Sequence, residues 1–95
     1  MSDSPPPNPS LAMLCYSLGT QAMIALGLAS NPATGETTQD LTAAKYTIDL
    51  IEMLREKTEG NRTDEETKVI RALLFDLRMR YVEASKGKAA ETDAE

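Results

Sequence analysis

The sequence contains no histidine, no tryptophan and only one cysteine. Without histidine there can be no Ser-His-Asp triad, no His-centred acid/base pair and no His-ligated metal. A single cysteine, Cys15, excludes an internal disulfide and a cysteine-based zinc site. We therefore assign no catalytic residue, no metal site and no cofactor from the sequence.

The chain of 95 residues is too short for two ordinary domains. We expect residues 1–8, rich in proline, to be a disordered arm, and residues 84–95 to be a disordered acidic tail. The helical domain is then 9–83, and a unit of this size has only a thin core, which points to partner chains. The net charge of -5 argues against a protein that coats nucleic acid or anionic lipid.

No charged residue occurs between Asp3 and Glu36, and this window includes the apolar segment Leu11 to Leu28. A signal peptide is disfavoured because no basic residue precedes the segment. A membrane span is an alternative, although the segment barely reaches the required length and has polar residues at its centre. We favour a helix in a water-soluble protein that is buried on nearly all sides.

Two faces of this predicted helix are apolar. One repeats at helical spacing through Leu11, Cys15, Leu18, Ala22 and Leu26, and Leu14 lies on the other. The rest of the chain can cover one face and a second subunit the other. We predict homo-oligomerisation through an interface of Leu11, Leu14, Cys15, Leu18, Gly19, Ala22, Ala25 and Leu26.

The remaining sequence predicts an antiparallel helical hairpin. Asp40 is the expected N-cap of a second helix, which runs to about Thr58. Thr63 and Glu66 have the spacing of a capping box that opens a third helix, and the short link makes the two helices antiparallel. We predict an all-α fold of three helices, with Asn8 and Pro9 opening the first and oligomerisation completing the core.

Charged side chains on the hairpin have two interpretations. Asp49 and Asp76 sit between large apolar residues and could form an acid/base site between subunits. Structural ion pairs with Lys45 and Arg80 are the simpler interpretation, since nothing nearby supplies a nucleophile or a ligand set. We expect Lys45 to reach Asp76 across the hairpin, with Asp76 also pairing with Arg80 one turn later.

Three stretches, NPATGE, DLTAAKYTIDLIEMLREKTEGN and DLRMRYVE, together with the upstream LGTQAMIALGL, resemble the bacterial family called domain of unknown function 1844. The similarity spans roughly residues 11–83. Arg62 departs from the pattern, which has an apolar residue at this position. The resemblance implies a small, cytoplasmic, helical bacterial protein, and it transfers no catalytic residue.

We expect a non-catalytic interaction, scaffold or regulatory module rather than an enzyme. Its predicted partners are copies of itself and an unidentified protein, without nucleic acid. A membrane-associated accessory subunit anchored by residues 11–28 is the alternative, and an enzyme with a carboxylate site between subunits is the least favoured.

Overall fold

A computed structural model describes residues 9–94, and the side-chain environments of residues 9–87. Three α-helices occupy this part of the chain: α1 at Leu11–Ala25, α2 at Leu41–Lys57 and α3 at Asp64–Ala94. No strand occurs between residues 9 and 94, so the all-α prediction with three helices is confirmed. The predicted arm at residues 1–8 lies outside the described residues.

The first helix is shorter than predicted at both ends. Its N-cap is Ser10, whose hydroxyl accepts a hydrogen bond from the Met13 amide at 3.1 Å, so the predicted start at Asn8 and Pro9 is wrong. At the other end Gly27 has a φ of 80°. The Leu28 amide donates to the Met23 carbonyl, and this Schellman geometry ends α1 at Ala25 rather than at Leu28.

The loop after α1 returns the chain to the start of α2. The Asp40 amide donates to the Ala25 carbonyl at 2.8 Å, which joins the end of one helix to the start of the next. Asp40 also accepts from the Ala43 amide at 3.0 Å, as predicted for its cap. The two helices are therefore antiparallel neighbours.

The turn between α2 and α3 is organised by Arg62. Its guanidinium donates to the Arg55 carbonyl, to the hydroxyls of Thr58 and Thr67, and to the Glu59 carboxylate. Only 8% of the Arg62 side chain is exposed. The turn is thus filled by a buried charge whose hydrogen bonds are satisfied.

The predicted capping box opens α3. The Thr63 hydroxyl accepts from the Glu66 amide at 3.1 Å, and the Glu66 carboxylate accepts from the Thr63 amide at 2.8 Å. The helix then continues to Ala94, beyond residue 83 where we had ended the folded part. Residues 84–94 include four alanines and two lysines, which favour helix, and they contain no proline.

All three helices pack against one another around a single apolar core. Gly19 lies beside Leu73, while Leu26 lies beside Met79, so α1 and α3 run in the same direction. In α2, Arg55 is joined through Arg62 to Thr67 near the start of α3, whereas Lys45 lies beside Tyr81 further along α3. The second helix therefore runs opposite to the other two. The core consists of Cys15, Ala22, Leu26, Ala44, Ile48, Ile51, Ile70, Leu74 and Leu77.

Replacement of Arg62 tests the organisation of the turn. Lysine cannot reproduce the planar fork that reaches four acceptors, so Arg62→Lys should lower the free energy of unfolding by about 1–2 kcal/mol. Urea denaturation followed by circular dichroism measures this change. Arg80→Lys is the matched control, because Arg80 forms only an exposed pair within α3. Equal effects of the two changes would contradict the structural role of Arg62.

Candidate functional site

The residues predicted to form the oligomer interface divide into two groups in the structure. Cys15, Gly19, Ala22 and Leu26 are buried by the chain's own helices. Leu11, Leu18 and Ala25 are half-buried and pack against the same core, whereas Leu14 is 47% exposed. The face assigned to a second subunit is therefore largely the inner face of α1, and α2 and α3 cover it.

Gly19 explains how the chain covers this face. A β-carbon at Gly19 would lie 3.2 Å from the Leu73 side chain, closer than ordinary van der Waals contact. The small residues that we had assigned to contact between subunits bring α1 close to α3 of the same chain instead.

The opposite side of α1 carries six exposed residues and no charge, and we call it the α1 outer face. Met13, Leu14 and Tyr16 are each about half exposed. The six residues are Met13, Leu14, Tyr16, Ser17, Thr20 and Gln21. Sequence analysis placed Leu14 on this side but not Met13 or Tyr16, although Met13, two residues before Cys15, lies opposite it on the helix.

Cys15 is fully buried, and burial together with the charge of Glu66 raises the pKa of its thiol. A raised pKa leaves less thiolate at neutral pH, and thiolate is the reactive form. The surroundings of Cys15 therefore fit a small core residue.

The four residues predicted as ion pairs form two pairs, each within one helix. Lys45 lies 2.9 Å from Asp49, and Arg80 lies 2.9 Å from Asp76, all with largely exposed side chains. The predicted pairing of Lys45 with Asp76 is wrong, because each finds a partner one turn along its own helix. Lys45 instead lies level with Tyr81, across a shallow cavity.

Glu52 supplies the ion pair that crosses the hairpin, a role that sequence analysis did not assign. Its carboxylate accepts from Arg55 at 2.6 Å and 2.9 Å, and lies 3.3 Å from Arg78. The hydrogen bond from Arg55 lowers the pKa of Glu52, and the charges of both arginines lower it further. This carboxylate ties α2 to α3.

A second exposed apolar surface lies on α3, and we call Ala72, Phe75, Met79 and Val82 the α3 outer stripe. Phe75 is 70% exposed, Met79 53% and Val82 48%. Phe75, Met79 and Val82 form one wall of a groove of about 600 Å³, which is also lined by Arg55, Arg71, Leu74, Arg78 and Glu83.

The described part of the chain has neither a metal-binding cluster nor a membrane-spanning helix. Between residues 9 and 87, no cluster of three histidine, cysteine, aspartate or glutamate side chains is placed to hold a metal ion. In the same part of the chain, no helix has both the length and the apolar character needed to cross a membrane.

The model of the domain of unknown function family DUF1844 matches residues 8–83. The chain belongs to this family. The matched range includes α1, α2, the α2–α3 turn and the whole α3 outer stripe. No curated protein and no solved structure matches the chain.

The buried thiol gives a testable prediction. Cys15 should react slowly with DTNB in native protein and rapidly after addition of denaturant, because opening the core exposes the sulfur and restores its ordinary pKa. Absorbance of the released thiolate measures the rate. The control is Ser30→Cys, which adds an exposed thiol in the loop after α1 and should react at once. Rapid labelling of Cys15 in native protein would contradict its burial.

Glu52 gives a prediction about pH. Because its pKa is lower in the folded chain than in the unfolded chain, the carboxylate stabilises the fold above its unfolded pKa, and this contribution is lost as the pH falls through the folded pKa. Glu52→Gln should lower the free energy of unfolding by less than about 1 kcal/mol at neutral pH. The difference should disappear in acid.

Urea denaturation at a series of pH values tests this prediction. Glu36→Gln is the control, since Glu36 lies exposed in the loop and its side chain forms no ion pair within residues 9–87. A Glu52→Gln effect that increases toward acid would show that the sign is wrong.

Proposed function

We propose that this family member is a non-catalytic interaction module that self-associates through the α1 outer face and serves as a scaffold or regulator. One observation carries the proposal: Met13, Leu14 and Tyr16 form an exposed apolar surface on a helix without a single charge. Exposed apolar surface of this kind is typical of protein–protein contacts.

Self-association fits this face because a two-fold interface brings identical surfaces together. In many two-fold interfaces, a charged residue on one copy faces the same residue on the other copy, and the two like charges repel. The α1 outer face has only apolar and neutral polar side chains, so a second copy can approach it without repulsion. Ser17, Thr20 and Gln21 can supply hydrogen bonds at the edge of such an interface.

The charged residues of the hairpin also support a non-catalytic role. Asp49 and Asp76 are exposed, and each is paired with a basic residue on its own helix. They stand on different helices without facing each other as an acid/base pair would.

Introducing a charge into the α1 outer face tests the proposal. Light scattering after gel filtration should give the native chain a multiple of 10.3 kDa across the micromolar range. Leu14→Glu should weaken this association by at least about tenfold, because a desolvated carboxylate would have no partner in the interface. Circular dichroism checks that the variant is folded.

Tyr46→Glu is the matched control, since Tyr46 is an exposed aromatic residue on α2, outside the α1 outer face. It should leave the mass unchanged. A native mass of one chain at every concentration would contradict self-association, and an unchanged mass for Leu14→Glu would exclude the α1 outer face as the interface.

A further inference from the structure

The α3 outer stripe has the spacing of a coiled-coil seam. Ala72, Phe75, Met79 and Val82 are separated by three, four and three residues, which is the a/d spacing of the heptad repeat. All four are exposed. The core residues Leu74 and Leu77 lie on another side of the helix, so α1 and α2 do not cover the stripe.

Charges of opposite sign flank the stripe on its two sides. Arg71 and Arg78 occupy g positions, on the side toward α2, whereas Asp76 and Glu83 occupy e positions on the other side. All four residues are exposed, although Arg78 also pairs with Glu52, and Asp76 with Arg80, in its own chain. These are the positions whose ion pairs determine the partner and the orientation of a coiled coil.

We propose that the α3 outer stripe is a second self-association surface, on which α3 of another copy packs parallel and in register. In this arrangement Arg71 faces Asp76 of the partner subunit, and Arg78 faces Glu83 of the partner subunit. The two-fold axis repeats each contact, so four ion pairs of opposite sign flank the seam. This surface extends the proposed self-association, but it uses none of the α1 residues.

The same charges disfavour the antiparallel arrangement. An antiparallel two-fold pair brings like flanks together, so the arginines of one copy would face the arginines of the other, and the carboxylates would face carboxylates. Like charges that face each other across an interface are destabilising. The charge pattern therefore favours a second copy of α3 as the partner, in the parallel orientation.

Lysines limit the length of the seam. Lys68 and Lys86 take the next core positions on either side of the stripe, and both are exposed. Polar residues at core positions reduce stability and fix register. The apolar seam is thus short. We therefore expect the flanking ion pairs to contribute measurably to the affinity of the association.

A charge-exchange experiment tests the flanking pairs. All variants are made in a Glu52→Gln background, which removes the partner that Arg78 has within its own chain. In this background Arg78→Glu and Glu83→Arg each create two like-charge contacts in a parallel pair, and each should weaken association by about tenfold. The double variant exchanges the two signs and should recover most of the native affinity. Sedimentation equilibrium measures the dissociation constants, and circular dichroism checks the fold. Glu36→Arg, a charge reversal in an exposed loop, should have no effect.

A disulfide crosslink tests whether the two α3 helices are parallel. Val82→Cys places a thiol at a seam position that meets its own copy only in the parallel, in-register arrangement. Oxidised glutathione should convert this variant into a disulfide-linked dimer, whereas Tyr46→Cys, on α2, should remain monomeric in denaturing gels. Failure of Val82→Cys to crosslink, or failure of the double variant to recover, would overturn the proposal.

The two proposed interfaces can be tested separately, because different variants disrupt them. If only the α1 outer face associates, Leu14→Glu dissociates the protein while Arg78→Glu does not. If only the α3 outer stripe associates, the reverse holds, and the present inference stands without the α1 interface.

Discussion

The fold depends on the burial of the inner face of α1 against the hairpin. Cys15, Ala22 and Leu26 are almost completely buried, and Gly19 lets α1 approach Leu73 closely. Neither α2 nor α3 alone could cover this face, because both contribute residues to the core around it. Two other contacts hold the helices in the positions that allow this burial. Asp40 joins the start of α2 to the end of α1, and Arg62 bridges the turn between α2 and α3.

Local signals in the sequence predicted the helices well. Asp40 and the pair of Thr63 and Glu66 are capping motifs whose hydrogen bonds depend only on neighbouring residues, and the structure contains them as expected. Contacts between helices were harder to predict. The pairing of Lys45 with Asp76 failed because a partner one turn away on the same helix is always within reach, whereas a partner on another helix depends on the packing.

The predicted oligomer interface on α1 was also limited by the difficulty of predicting contacts between helices. Periodicity identified two apolar faces on α1, but it could not determine which face the chain itself covers. The structure shows that the face with small residues packs internally and leaves Met13, Leu14 and Tyr16 exposed. The α3 outer stripe was missed because Phe75, Met79 and Val82 are interleaved with the core residues Leu74 and Leu77.

The order of the helices also has a consequence during synthesis. Residues 11–25 leave the ribosome before any part of α2 or α3, yet they contain no charge and depend on both later helices for cover. Nascent α1 is thus an uncovered apolar segment until the hairpin has formed. Such segments bind chaperones and aggregate, and α1 is open to both until α3 has left the ribosome and packed against it.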